Sequence, residues 1–154
     1  MEYKKIRGVN ILKLMIASDI HGSAYYCGKL LEAFEKEQAE RLLLLGDILY
    51  HGPRNDLPKD YAPKKVIAML NGMKNRIFCV RGNCDTEVDQ MVLPFPCLAE
   101  FSQLLLDGKT FYLTHGHHAN PGLHPASHGC DRRGTPSLRA AGGDCRGLRG
   151  GRGS

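Results

Sequence analysis

The chain has 154 residues and a formal net charge of +5 at pH 7, and this length favours a single domain. Residues 1–118 contain 15 Lys and Arg against 14 Asp and Glu, so the basic excess comes from the Arg-rich remainder, which argues against a folded nucleic-acid-binding face. The apolar stretch near the start is short and interrupted by Lys13, which argues against an export signal or membrane span. The chain has six cysteines and no CxxC pair, so we expect a cytoplasmic protein with reduced thiols.

Short apolar runs alternate with helical patterns through the first half of the chain. Ile11–Ala17, Leu42–Leu45 and Ile77–Val80 are predicted to be buried strands. Ser23 is the expected N-cap of a helix after the first strand, and Pro63 lies in the first turn of a helix before the third. This β-α-β-α-β order predicts a largely parallel α/β sheet, in which ligands bind beyond the carboxyl ends of the strands.

The second half of the chain changes character twice. Two strands, near Phe101–Leu106 and Thr110–Leu113, are joined by Asp107-Gly108, a hairpin signal. Residues 119–154 are dominated by Gly, Arg, Ala and Pro, and a segment so poor in large apolar groups cannot offset the entropy of ordering it. We therefore expect a domain over residues 1–118 and a disordered tail over 119–154. A frameshift near residues 119–125 of a GC-rich gene would explain this composition; a true low-complexity tail is the alternative.

Polar clusters follow four of the predicted strands. They are Asp19 with His21, Asp47, Asn83 with Asp85, and His115 with His117. A lone Asp or His after a strand is usually a turn, cap or surface residue, but four clusters in order at one sheet edge indicate a shared site. Carboxylate, amide and imidazole donors suit Mn, Fe(II), Zn or Co, and Asp47 has two oxygens with which to bridge two cations.

At these residues the sequence resembles the calcineurin-like metallophosphoesterase superfamily. The pattern of that superfamily runs D-x-H, G-D, G-N-H-D/E, a His, and then G-H-x-H. The first four motifs are matched in order by Asp19-Ile20-His21, Gly46-Asp47, Gly82-Asn83-Cys84-Asp85 and Thr114-His115-Gly116-His117. The Gly-Asn-Cys-Asp variant and the segment His51-Gly52-Pro53-Arg54-Asn55 resemble the small bacterial phosphodiesterases of the superfamily.

The resemblance implies a fold, a cofactor and a role for each residue. The implied fold is α/β, a two-sheet β sandwich flanked by helices. Two divalent ions are implied, manganese first, with zinc, iron, cobalt and nickel as alternatives. Asp19 and His21 would serve one ion, Asn83 and His115 the other, and Asp47 both, while Asn83, Cys84 and Asp85 occupy the catalytic positions. The implied reaction is hydrolysis of a small phosphodiester by a metal-bound hydroxide.

Two departures from the superfamily pattern bear on activity. Cys84 stands where many relatives have a His that protonates the leaving group, and a thiol with an ordinary pKa near 8.5 is a poor general acid. No G-H-x-H occurs, so one ligand of each metal and the C-terminal part of the second sheet are expected to be missing. The alternatives are an inactive truncated relic or a protein-interaction module on the same fold. An exposed sheet edge would also favour association between copies.

Overall fold

The structure, a computed structural model, describes residues 12–106, 108–117 and 137–139. Its elements in chain order are β1 Leu14–Ala17, α1 Ala24–Lys36, β2 Arg41–Leu44, α2 Pro63–Asn71, a 3₁₀ turn Lys74–Arg76, β3 Ile77–Cys79, α3 Glu87–Val92, β4 Ser102–Leu106, β5 Lys109–Thr114 and β6 Ser137–Arg139. Parallel strands β1-β2-β3 form one sheet, and β4-β5-β6 form a second. The predicted mixed α/β fold with two sheets and flanking helices is confirmed.

Strand β2 lies at the centre of the first sheet and is buried on both faces. Successive side chains of a strand point to opposite faces, so Leu42 and Leu44 join the core beneath the helices while Leu43 packs towards the second sheet. All three are almost fully buried. The continuous apolar run in the sequence therefore reflects a strand covered on both sides.

Helices α1 and α2 cover one face of this sheet. Ser23 caps α1, because its hydroxyl accepts a hydrogen bond from the Tyr26 amide at 3.2 Å, as the sequence predicts. Pro63 begins α2, where its missing N–H costs nothing, and Val66 and Leu70 one turn apart face the core. Both helix starts were correctly predicted.

The second sheet packs against the opposite face of the first. Strands β4 and β5 form the predicted antiparallel hairpin, with Gly108 in the left-handed region at φ 71°. Leu113 of β5 packs with Leu43, Leu45 and Val80 of the first sheet. The layers are thus helices, first sheet and second sheet. This packing fixes the end of β5, and with it His115, against the carboxyl ends of β2 and β3.

Two elements differ from the sequence prediction. Strand β1 begins at Leu14, because its pairing with β2 starts there, and the expected first residue Ile11 lies outside the described part of the chain. Helix α3 was not predicted. Its signal is the capping box of Thr86 and Asp89, in which the Asp89 carboxylate accepts from the Thr86 amide at 2.6 Å.

The predicted tail lies almost wholly outside the described residues. Within it, only Ser137–Arg139 are described, and they pair in parallel with Tyr112–Thr114 of β5. The expected boundary after residue 118 and the suggested frameshift at 119–125 fall on residues that the structure does not describe.

Among the described residues, every helix is too short or too polar to cross a bilayer; the longest, α1, has 13 residues. Cys27, Cys79, Cys84 and Cys97, the cysteines in that part of the chain, are free thiols.

Candidate metal centre

The polar clusters converge beyond the carboxyl ends of β1, β2, β3 and β5. Backbone hydrogen bonds join the loops after β1 and β2. The amides of Asp19 and His21 donate to the carbonyls of Gly46 and Asp47 at 3.0 and 2.9 Å. The structure therefore brings Asp19, His21, Asp47, Asn83 and His115 to one edge of the sheet, as the sequence predicts.

His21 lies between two carboxylates. Its Nε2 is 3.4 Å from Oδ1 of Asp19 and 3.6 Å from Oδ2 of Asp47. On the other side of the ring, Nδ1 donates to the backbone carbonyl of Tyr50 at 2.7 Å. Because a carbonyl only accepts, this bond keeps a proton on Nδ1, and Nε2 is the nitrogen that faces the two acids.

His115 is held in the same way. Its Nδ1 donates to the carbonyl of Leu45 at 2.7 Å, and its Nε2 lies 3.0 Å from Oδ1 of Asn83. The same Nε2 is 3.6 Å from Oδ2 of Asp47, the oxygen that also faces His21. One carboxylate oxygen is thus shared between two groups of donors.

This donor set fits divalent cations. With both rings protonated at Nδ1, the Nε2 lone pairs point at oxygen lone pairs, an arrangement that repels unless a proton or cation lies between them. Imidazole nitrogens with carboxylate and amide oxygens suit ions such as Mn, Zn, Fe and Co. Metal-bound histidines commonly give their other N–H to a carbonyl, as both rings do here.

The pKa values of His21 and Asp19 are both shifted in the direction that favours positive charge in the centre. The hydrogen bond to Asp19 raises the pKa of His21 to about 9, against the opposing effect of burial and with help from Tyr50 and Asp47. Burial acts to raise the pKa of Asp19, but hydrogen bonds from His21 and Ser18 outweigh it and the pKa is lowered. A proton on His21 therefore offsets the negative charge of Asp19 and Asp47.

The backbone of the centre is strained at three candidate ligands. Asp19, His21 and Asp47 have φ values of 58°, 48° and 57°, in the left-handed region that side chains disfavour. Such strain persists only where surrounding structure enforces it, and Gln38 and Asp60, outside the centre, have φ values in the same region.

Two glycines allow the loops after β2 and β3 to touch. A Cβ on Gly46 would overlap the backbone of Gly82, and a Cβ on Gly82 would overlap the amide and carboxylate of Asp47. Close backbone approach therefore positions Asp47 against the Gly82–Asp85 loop.

Asp85 makes contacts of a different kind from the ligand candidates. Its carboxylate is 1% exposed and accepts from the amides of Asp47, Ile48 and Gly82 at 2.8, 2.9 and 2.7 Å. Both oxygens are thereby directed to backbone groups, and the side chain ties the two central loops together.

Cys84 lies at the inner side of the same loop. Its amide donates to Oδ1 of Asp47 at 2.8 Å, and its Sγ accepts from the Asn83 amide group at 3.2 Å. Burial, followed by the nearby charge of Asp47, raises the pKa of the thiol to about 11. The thiol is therefore protonated at neutral pH.

Two backbone groups that bind the histidines of the centre could not be predicted from the sequence. The carbonyls of Leu45 and Tyr50 orient the histidines, but a backbone oxygen leaves no signature in residue type. The only sequence signal was positional, since Leu45 directly precedes Gly46-Asp47 and Tyr50 follows three residues after Asp47.

Residues 12–139 match the family model described as calcineurin-like phosphoesterase. The chain belongs to this family. The match includes the four polar clusters and β6, and it confirms the resemblance inferred from the motifs.

Named relatives within the family are phosphodiesterases. Phosphodiesterase YfcE from three strains of Escherichia coli is 51% identical over 116 residues, which is 75% of this chain and 63% of the relative. A solved structure of YfcE, a phosphoesterase from E. coli, superposes with a TM-score of 0.68 at 52% identity, covering 70% of this chain and 59% of that one. The chain thus spans less than two thirds of the length of these relatives.

Proposed function

We propose that this chain is a divalent-metal-dependent phosphodiesterase that acts on small phosphodiesters. One observation carries the proposal: Oδ2 of Asp47 lies 3.6 Å from Nε2 of both His21 and His115, between two groups of donor atoms. A carboxylate shared in this way is the arrangement needed for a binuclear site. The relatives named phosphodiesterase support the choice of reaction.

The donors divide into two sets around Asp47. Asp19 and His21 would hold one cation, Asn83 and His115 the other, and Asp47 would contact both. Two divalent cations so held supply Lewis acidity, activating water and neutralising charge on the phosphate. We propose manganese as the ion, with zinc, iron, cobalt and nickel also suited to these donors.

Three further side chains complete the proposed machinery. Asn83 is exposed beside the centre, where its amide can contact the phosphate as well as a cation. Cys84 keeps its proton and can offer an S–H to the leaving oxygen, although weakly. Asp85 holds the loops that carry Asp47 and Asn83 in register.

We also propose a cytoplasmic location, on the basis of the four free thiols in the described residues.

The test is hydrolysis of bis(p-nitrophenyl) phosphate by the purified chain, with manganese and then with excess chelator. We expect manganese-dependent turnover that Asp47→Asn reduces by at least about 100-fold, because the shared ligand is lost. Asp56→Asn, which changes an exposed carboxylate that belongs to neither proposed donor set, is the matched control. Turnover that survives both chelator and Asp47→Asn would rule out the proposed centre.

A chimera with YfcE distinguishes the function of the family site from the catalytic activity of this chain. The segment of YfcE that follows the matched region is joined after His118, and turnover is compared with that of the original chain. Activity only in the chimera would assign the function to the family site and the deficit to missing ligands. Inactivity of both, with manganese still bound, would contradict phosphodiester hydrolysis.

A further inference from the structure

The segment that follows Asp47 borders the candidate centre along one side. The carbonyl of Tyr50 accepts from His21, and Gly52 is packed so closely on Cys84 that a Cβ there would lie 3.3 Å from the thiol sulfur. His51 lies between these two anchors in the chain. Residues 50–52 therefore extend from His21, a proposed donor to one cation, to Cys84, which is proposed to face the leaving group.

This segment presents a small aromatic cluster made of Tyr50, His51 and Tyr61. The ring of His51 lies edge-to-face against Tyr50, with centroids 4.9 Å apart, and against Tyr61 at 5.2 Å. Tyr61 in turn packs on Gly22, directly after His21. Tyr50 is 43% exposed although its backbone is fixed at the centre, so an aromatic surface is open to a ligand there.

His51 also carries an unpaired polar atom. Its Nδ1 is buried and has no hydrogen-bond partner, whereas its carbonyl accepts from Asn55 at 3.0 Å and so fixes the loop. Buried polar atoms are almost always paired, so an orphan beside a reaction centre calls for an explanation. Because Nδ1 has almost no accessible surface, a bound group with a hydrogen-bonding edge would supply the missing partner once the His51 ring turns outward.

We propose that Tyr50 and His51 form a subsite for a planar, aromatic organic group of the phosphodiester, with the chemistry of a nucleobase. The Tyr50 ring stacks on the plane, and Nδ1 of His51, turned outward from its buried position, pairs with a polar edge. This inference rests on the proposed function and adds the class of substrate to it. Stacking on an aromatic side chain is sequence-tolerant, so the subsite selects for a base without choosing among bases.

The test compares two esters that release the same product, p-nitrophenol, with manganese present. One carries thymidine 5′-phosphate and the other methyl phosphate. The ratio of their kcat/KM values reports recognition of the organic group, because the leaving group is unchanged. We expect Tyr50→Leu to lower this ratio by about tenfold, mainly through KM, and His51→Leu to lower it in the same direction.

Phe78→Leu is the matched control, since Phe78 is 47% exposed on β3 and lies outside the segment. Its ratio should equal that of the original chain. An unchanged ratio in Tyr50→Leu and His51→Leu, with turnover intact, would overturn the subsite and leave the phosphodiesterase proposal standing.

Equilibrium binding decides the inference if the chain does not turn over. Thymidine 5′-monophosphate and methyl phosphate are titrated by calorimetry into the manganese-loaded chain. Tighter binding of the nucleotide that Tyr50→Leu removes would support the subsite even where hydrolysis fails. Equal binding of the two ligands, or a preference that survives Tyr50→Leu, would contradict it.

Discussion

At the scale of single residues, the two histidines of the centre share one device. Each donates a hydrogen bond from Nδ1 to a backbone carbonyl, Tyr50 for His21 and Leu45 for His115, so each presents Nε2 to the oxygens around Asp47. The carbonyls come from the loop that carries Asp47 itself. The loop after β2 therefore orients the imidazoles contributed by the loops after β1 and β5.

The raised pKa of His21 predicts how the stability of the metal-free chain depends on pH. A folded-state pKa of about 9, above the ordinary 6.5, means that the charged imidazole stabilises the fold below pH 6.5 and that this contribution is lost as pH rises through 9. The free energy of unfolding in chelator, measured by urea denaturation, should decline over that window. His21→Asn should flatten the decline, and an equal slope in both proteins would contradict it.

Manganese should reverse this dependence. If His21 is a ligand, a metal must displace its proton, so the metal affinity rises with pH up to the pKa of His21. We expect the rise in melting temperature on adding manganese to be larger at pH 8.5 than at pH 6.5. A shift independent of pH would show that His21 is not a ligand.

Substitution of Asp85 distinguishes a role in catalysis from a role in positioning the loops. Asp85→Ala removes the acceptor of three backbone amides and leaves them buried, at a cost of about 2–5 kcal/mol in the free energy of unfolding. The exposed Asp56→Ala, the control, should cost almost nothing. If Asp85→Ala lowers turnover at unchanged stability and manganese affinity, Asp85 acts in the chemistry itself.

Cys84 predicts a preference among leaving groups. A thiol that stays protonated but donates weakly assists poor leaving groups little, so Cys84→His should raise the rate more for alkyl than for nitrophenyl esters. The measurement is the slope of log kcat against leaving-group pKa. Equal slopes for Cys84 and the His variant would show that the thiol position does not face the leaving group.

At the scale of elements, the close approach of Gly46 and Gly82 couples the loops after β2 and β3. Gly82→Ala would drive a methyl group into the backbone and carboxylate of Asp47. We expect a loss of about 1–3 kcal/mol in stability and weaker manganese binding by calorimetry. Gly28→Ala in α1, where a Cβ meets open space, is the control and should stabilise by about 0.5–1 kcal/mol. Intact manganese affinity in Gly82→Ala would contradict the coupling.

Local patterns were sufficient to predict most elements. The Ser23 cap, Pro63 at a helix start and the hairpin at Gly108 are short-range signals, and each was predicted correctly. The strand ends differ by a few residues because pairing with a neighbour decides them, as β1 shows by starting opposite Arg41. Helix α3 was missed because its six residues carry too weak a periodicity, although the Thr86–Asp89 box marked its start.

The convergence of the candidate ligands was predictable because each follows the end of a strand. The sequence could not predict how the side chains and backbone groups of the centre are oriented towards one another. The two carbonyls, the left-handed backbone at Asp19 and Asp47, and the turn of the Asp85 carboxylate towards amides depend on contacts distant in the chain. Residue type carries little information about any of them.

At the scale of the whole molecule, the packing between the sheets sets the position of His115, a proposed donor to the second cation. Leu113 is buried against Leu43, Leu45 and Val80, two residues before His115. Leu113→Ala should cost about 2–5 kcal/mol in stability and also reduce manganese affinity, because β5 would shift. Leu105→Ala in β4, 73% exposed, is the control and should leave both unchanged. A loss of stability without loss of affinity would show that His115 is held by its own contacts.

The left-handed backbone at Asp19, His21 and Asp47 sets the side chains of the proposed donors against the stability of the loops that carry them. Glycine would relieve the strain at each position, by about 1 kcal/mol or more, but it would also remove the donor atoms. A substitution that stabilises these loops is therefore expected to be one that weakens cation binding.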